Sequence, residues 1–148
     1  MRYSSEITID LPREKIIELF DNEENMFNWM KGLKEVKHLE GEPGQEGARS
    51  EMHFEMGKRK ISMVETILNR NFPEQFKTSY STKGVYNEVD NRFEKIDENH
   101  TRYITEHYFR FDGWGMKVMA FLMPSAFKKQ SMQYLKDFKA FAEGEIQE

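Results

Sequence analysis

From Ala48 to Asp112 the side chains keep switching between apolar and polar with a period of two, and that rhythm confines the middle of the chain to β-sheet. Ala48, Ser50, Met52, Phe54 and Met56 fall on one face, with Arg49, Glu51, His53 and Glu55 on the other. Gly57-Lys58 makes a tight turn into a strand from Lys60 to Asn69, and Asn71 to Glu74 breaks it at Pro73. Ile61, Met63, Glu65 and Ile67 share one side of that strand, but Val64 and Leu68 occupy the other, so its inward side stays open. Phe76, Thr78, Tyr80 and Thr82 follow, then a turn at Gly84 and the row Val85, Asn87, Val89, Asn91 and Phe93. After the turn at Asp97 to His100 come Thr101, Tyr103, Thr105, His107, Phe109 and Phe111, backed by Arg102, Glu106 and Arg110. One apolar and one charged face describe an antiparallel sheet wetted on one side.

The flanks change period. Tyr3, Ser5, Ile7 and Ile9 extend the alternation into a first strand. Asp10-Leu11-Pro12 then predicts a helix start, with Asp10 as cap and Pro12 in the first turn. Ile16, Ile17, Leu19 and Phe20 form its stripe. A second short helix is expected to use Met26, Phe27, Trp29, Met30 and Leu33, and Gly41 to Gly47 is a loop. In the last third, Met116, Met119, Met123, Phe127, Tyr134, Phe138 and Ala142 recur at helical spacing. Pro124 should kink or divide this helix. The segment Trp114 to Met123 is apolar almost all round, which favours burial over a membrane-surface anchor.

Bulk properties narrow the function classes. A chain of 148 residues fits one domain, residues 1–148, around one core. A net charge of −4 argues against general nucleic-acid binding and against docking on anionic membranes. The absence of cysteine removes disulfides, thiolate nucleophiles and Cys-based zinc sites, and it fits a reducing compartment. With no hydrophobic signal core near Met1 and no apolar run long enough to span a bilayer, the expectation is a cytoplasmic protein without stable membrane insertion. No phosphate-binding glycine loop or nucleophile elbow is present. His38, His53, His100 and His107 are scattered without ligand spacing, so neither a metal nor a cofactor is expected.

Three segments carry a resemblance. Ile7-Thr8-Ile9-Asp10-Leu11-Pro12 with the helix to Asp21, Trp29 followed by the Gly41–Gly47 loop, and Tyr134-Leu135-Lys136-Asp137-Phe138-Lys139 resemble the opening, loop and closing helix of the START-related, or SRPBCC, superfamily. That superfamily includes the birch-pollen-allergen fold and the bacterial polyketide cyclase/dehydrase-like branch. The resemblance implies an α+β helix-grip fold: one strand, two short helices, six strands, and a long C-terminal helix wrapped by the sheet around a cavity. Members bind lipids, sterols, hormones or polyketides, and some catalyse cyclisation. They share no universal catalytic signature, so the resemblance transfers no catalytic residue.

Candidate site residues come from the strand phases. His107 aligns with Tyr103 and Phe109, and an inward His can act as acid, base or hydrogen-bond donor near neutrality. Glu65, if inward, should have a raised pKa through desolvation. Tyr103 or Tyr80 would be placed to hold an oxyanion. Tyr80, Asn87 and Asn91 add polar handles to an apolar shell, which is the usual make-up of a small-molecule pocket. The shell itself is expected from Trp29, Met52, Phe54, Met56, Met63, Phe109, Met119, Met123 and Phe127, because methionine adapts to varied apolar shapes. The bland readings are a hydrogen-bonded core histidine, a solvated Glu65, edge asparagines and an ordinary methionine core. Binding or transport of a small hydrophobic ligand explains the lining without a catalytic set. The alternatives are a cyclase- or dehydratase-type enzyme using His107 or Glu65, or a protein-interaction domain of the chaperone-activator-like branch.

Overall fold

The computed structural model describes residues 1–115, 117 and 124–147. Strand β1 (Arg2–Ile9) leads into helices α1 (Arg13–Phe20) and α2 (Glu23–Trp29). Strands β2 (Leu33–Glu40), β3 (Arg49–Met56), β4 (Arg59–Asn71), β5 (Gln75–Thr82), β6 (Val85–Asp97) and β7 (His100–Phe111) follow, and helix α3 (Pro124–Gln147) closes the chain. The strands form one antiparallel seven-stranded sheet in the order β1-β7-β6-β5-β4-β3-β2. This is the α+β helix-grip arrangement, with α3 held against the inner face of the sheet.

The register fixes which side chains face inward. Tyr3, Ser5, Ile7 and Ile9 stand opposite His107, Thr105, Tyr103 and Thr101. Opposed residues lie on the same face, so the β1 and β7 stripes merge. The open phase of β4 resolves the same way. Ile61, Met63 and Glu65 pair with Phe54, Met52 and Ser50, so Glu65 is on the inner side. A register shift between Ile67 and Asn69 leaves Leu68 exposed and restarts the phase. Arg70 therefore pairs with Phe76 and joins the inner side at the strand end.

Helix α3 buries Ser131, Leu135, Phe138 and Ala142, one residue per turn on a single stripe. Phe138 is fully buried, with ring centroids 5.1 Å from Trp29, 5.8 Å from Phe20 and 5.6 Å from Tyr103. Tyr3 ties β1 to the helix, its hydroxyl 2.6 Å from Ser131 Oγ and donating to Phe127 O at 3.1 Å. Lys139 Nζ donates to Thr8 O at 2.8 Å. One apolar cluster joins α1, α2 and α3 to Phe93 and Tyr103, and a smaller one gathers Leu33, Met52 and Phe54.

Several expectations need correction. Leu33 opens β2 rather than closing α2, because Met30 caps that helix and Gly32 turns the chain at φ +87°. Pro12, not Asp10, is the N-cap of α1, without a side-chain bond. The Asp10 carboxylate instead faces Lys139 and His100, at 3.9 and 3.7 Å. Trp114 is 84% exposed, against the burial expected of its segment. The kink foreseen at Pro124 involves residues 118–123, which lie outside the described residues, as do Met116, Met119 and Met123.

Candidate functional site

The two apolar clusters do not meet everywhere. Between the inner face of the sheet, the α1–α2 corner and α3 lies a cavity of about 580 Å³. Trp29, Phe54, Met63, Glu65, Tyr80, Asn87, Asn91, Tyr103, His107, Phe109 and Phe127 line it. Two of the residues expected there do not. Met56 is 39% exposed near the β3–β4 turn, and Met52 is fully buried among Leu33 and Phe54 as core.

A polar row crosses the cavity wall. Ser50 pairs with Glu65, Glu65 with Tyr80, Tyr80 with Asn87, and Asn87 with Phe109, on four successive strand pairs. All five side chains line the cavity. Burial pushes the Glu65 carboxyl above its ordinary value, the neighbouring Tyr80 hydroxyl partly offsets this, and the charge of Glu23 adds to it. Tyr80 is pushed well up by burial and by the Glu65 charge. The Asn87 amide spends its donors on the Tyr108 and Glu88 carbonyls, at 3.1 and 3.2 Å. What Asn87 has left to offer is an acceptor.

The other polar groups are largely committed to each other. Tyr103 donates to Asn91 Oδ1 at 2.6 Å, and the Asn91 amide donates to Phe76 O at 3.0 Å. Both are buried, which rules out the edge position considered for Asn91 and occupies the hydroxyl considered for an oxyanion. His107 stacks on Tyr3 at 4.8 Å, and its Nε2 lies 2.9 Å from Thr105 Oγ1. Its Nδ1 is buried with no partner among the described residues. Desolvation lowers its pKa to about 4, so the ring is neutral where titration near neutrality was expected.

The mouth is charged. Arg70 Nη1 donates to Asp21 Oδ1 at 2.8 Å and to Gly44 O at 3.1 Å. Its backbone N–H donates to Glu46 Oε1 at 2.8 Å. One arginine thus joins the C-cap of α1 to the Gly41–Gly47 loop. Sequence reading missed this clasp because β4 was expected to end at Asn69 and the phase shift at Leu68 has no residue signature. It also missed Phe20, whose ring lies 5.3 Å from Phe93 and 5.6 Å from Phe76. The signal was present in the α1 stripe, but which side chain of a stripe reaches a cavity is a tertiary fact.

A family model described as polyketide cyclase / dehydrase and lipid transport matches residues 1–143. The chain belongs to this family. Solved structures similar to this cyclase/lipid-transport family member share its helix-grip fold at low sequence identity. The Zhui aromatase/cyclase from a Streptomyces species is 12% identical, with a TM-score of 0.82 over 99% of this chain and 95% of its own. A conserved protein from Geobacillus kaustophilus is 13% identical, with a TM-score of 0.79 over 97% and 96%. A Thermus thermophilus protein is 14% identical, with a TM-score of 0.77 over 97% and 98%. Such identities carry the fold of the family and not its chemistry. No curated protein matches the sequence. Among the described residues no helix is long and apolar enough to cross a membrane.

Proposed function

We propose that this family member binds a small hydrophobic molecule in its internal cavity. The observation that carries the reading is the cavity itself: about 580 Å³, walled by Trp29, Phe54, Phe109 and Phe127, with a short polar row. Sites for small organic molecules have this size and this mixture of apolar wall and few polar groups. Native mass spectrometry of freshly purified protein, followed by solvent extraction, is expected to show a discrete apolar adduct or uptake of an added one. Val89 lines the same wall. Val89→Phe, folded by circular dichroism, should weaken uptake about tenfold or more by filling the space. Undiminished uptake in that variant would place binding elsewhere.

Chemistry on the bound molecule is the second reading, and the observation favouring it is Glu65. Its carboxyl is held above the ordinary range, the direction a general acid or base at neutral pH requires. The Streptomyces relative is described as an aromatase/cyclase. Under this reading Glu65 would exchange a proton with the ligand beside the Tyr80 hydroxyl, and turnover would disappear in Glu65→Gln while binding of an apolar probe persisted.

A further inference from the structure

We propose that the cavity selects apolar molecules carrying a protonated amine, and that Glu65 is the anchor for the ammonium group. This rests on the cavity being a binding site and names the class of molecule it takes.

The charges of the wall do not balance. Among the described residues three acidic side chains, Asp21, Glu23 and Glu65, face the space, against the single guanidinium of Arg70. Arg70 is already committed, to Asp21 at 2.8 Å and to the Gly44 carbonyl at 3.1 Å. Glu23 at the mouth and Glu65 inside are left over. Glu65 takes part in none of the ion pairs among the described residues. The stretch from Val118 to Met123 contains no basic residue. Among the described residues the one other ionisable base of the wall is His107, which is neutral. A carboxyl group in a mostly apolar enclosure without a cation is held towards its neutral form, and a cation brought in beside it would complete an ion pair.

Its neighbours are set up for the same kind of ligand. Asn87 has only an acceptor to give, and the aromatic side chain of Tyr80 lines the cavity next to Glu65 in the row. An ammonium group needs acceptors for its N–H bonds and is attracted by aromatic faces. A fatty acid or other anion would instead meet two unpaired acidic side chains and, among the described residues, no free cation on the wall. Glu23, on the exposed first turn of α2, adds a field of the same sign at the entrance.

Three probes with the same apolar body test this on the full chain: naphthylethylamine, naphthylacetate and ethylnaphthalene, measured by calorimetry or fluorescence near neutral pH. The amine is expected to bind about tenfold or more tighter than the uncharged hydrocarbon, and the acid weaker than both. In Glu65→Gln the amine should lose its advantage and bind no tighter than the hydrocarbon measured on the same variant. If the amine binds no better than ethylnaphthalene, or keeps its advantage in Glu65→Gln, the amine selectivity is wrong while the cavity remains a binding site. If ethylnaphthalene and the amine both fail to bind, the binding site itself is wrong and this proposal falls with it. Should Glu65→Gln not fold, the ranking of the three probes on the unaltered protein decides.

Discussion

His107 and Glu65 share one wall yet respond to pH with opposite sign. His107 is protonated at 6.5 when unperturbed but only at about 4 in the fold, so between those values unfolding takes up a proton. Its contribution is present above 6.5 and is lost as pH falls towards 4, about 3–4 kcal/mol in all. His107→Phe should keep the stack on Tyr3 and flatten that part of a pH series of urea unfolding curves. Glu65 works the other way. Its pKa is raised above 4.5 by burial, so its contribution is present below 4.5 and is lost as pH rises through the folded value. Glu65→Gln should therefore melt at a higher temperature than the unaltered protein at neutral pH, with the difference disappearing as pH falls to 4.5. A destabilised Glu65→Gln at neutral pH would mean that the ionised carboxylate has a partner. His107 was legible as inward from strand phase, Glu65 only as one of two alternatives. Their protonation states were not, because desolvation depends on what surrounds a side chain and not on which face it occupies.

At the scale of elements, the helix α3 stripe and the strand joints hold the grip together. Phe138 is fully buried among Trp29, Phe20 and Tyr103, so Phe138→Ala is expected to cost about 3–5 kcal/mol in equilibrium unfolding. Gly32 sits at φ +87°, and a Cβ there would stand 2.7 Å from the Glu55 carbonyl oxygen. Gly32→Ala should cost about 1–3 kcal/mol through backbone strain alone. The meander from β3 to β7 and the closing helix were legible because each keeps one period over many residues. Strand β2 was not. Leu33 is its only buried residue, and Lys34, Glu35, Lys37 and His38 break any alternation, as an edge strand permits. The shift at Leu68 was equally silent, and with it went the Arg70–Asp21 clasp. Whether inward faces meet or leave a hollow is invisible to periodicity, which says where a side chain points and not what it touches.

For the molecule as a whole, an internal space of about 580 Å³ is packing the fold forgoes. A ligand that fills it stabilises by mass action, about 2.7 kcal/mol at a hundredfold excess over its dissociation constant. Thermal melts with naphthylethylamine should therefore rise with probe concentration, and at each concentration should rise less in Val89→Phe. The sheet order has a consequence for synthesis. Strand β1 has one neighbour only, β7, and the pairing of Arg2 with Tyr108 joins the first strand in sequence to the last. Contacts of such long range make for slow folding, because a large loop must close before any of them forms. On the ribosome the first eight-residue strand must wait with its hydrogen bonds unmade until the last strand has emerged. Of the seven strands, the one made first is thus among the last to find its place.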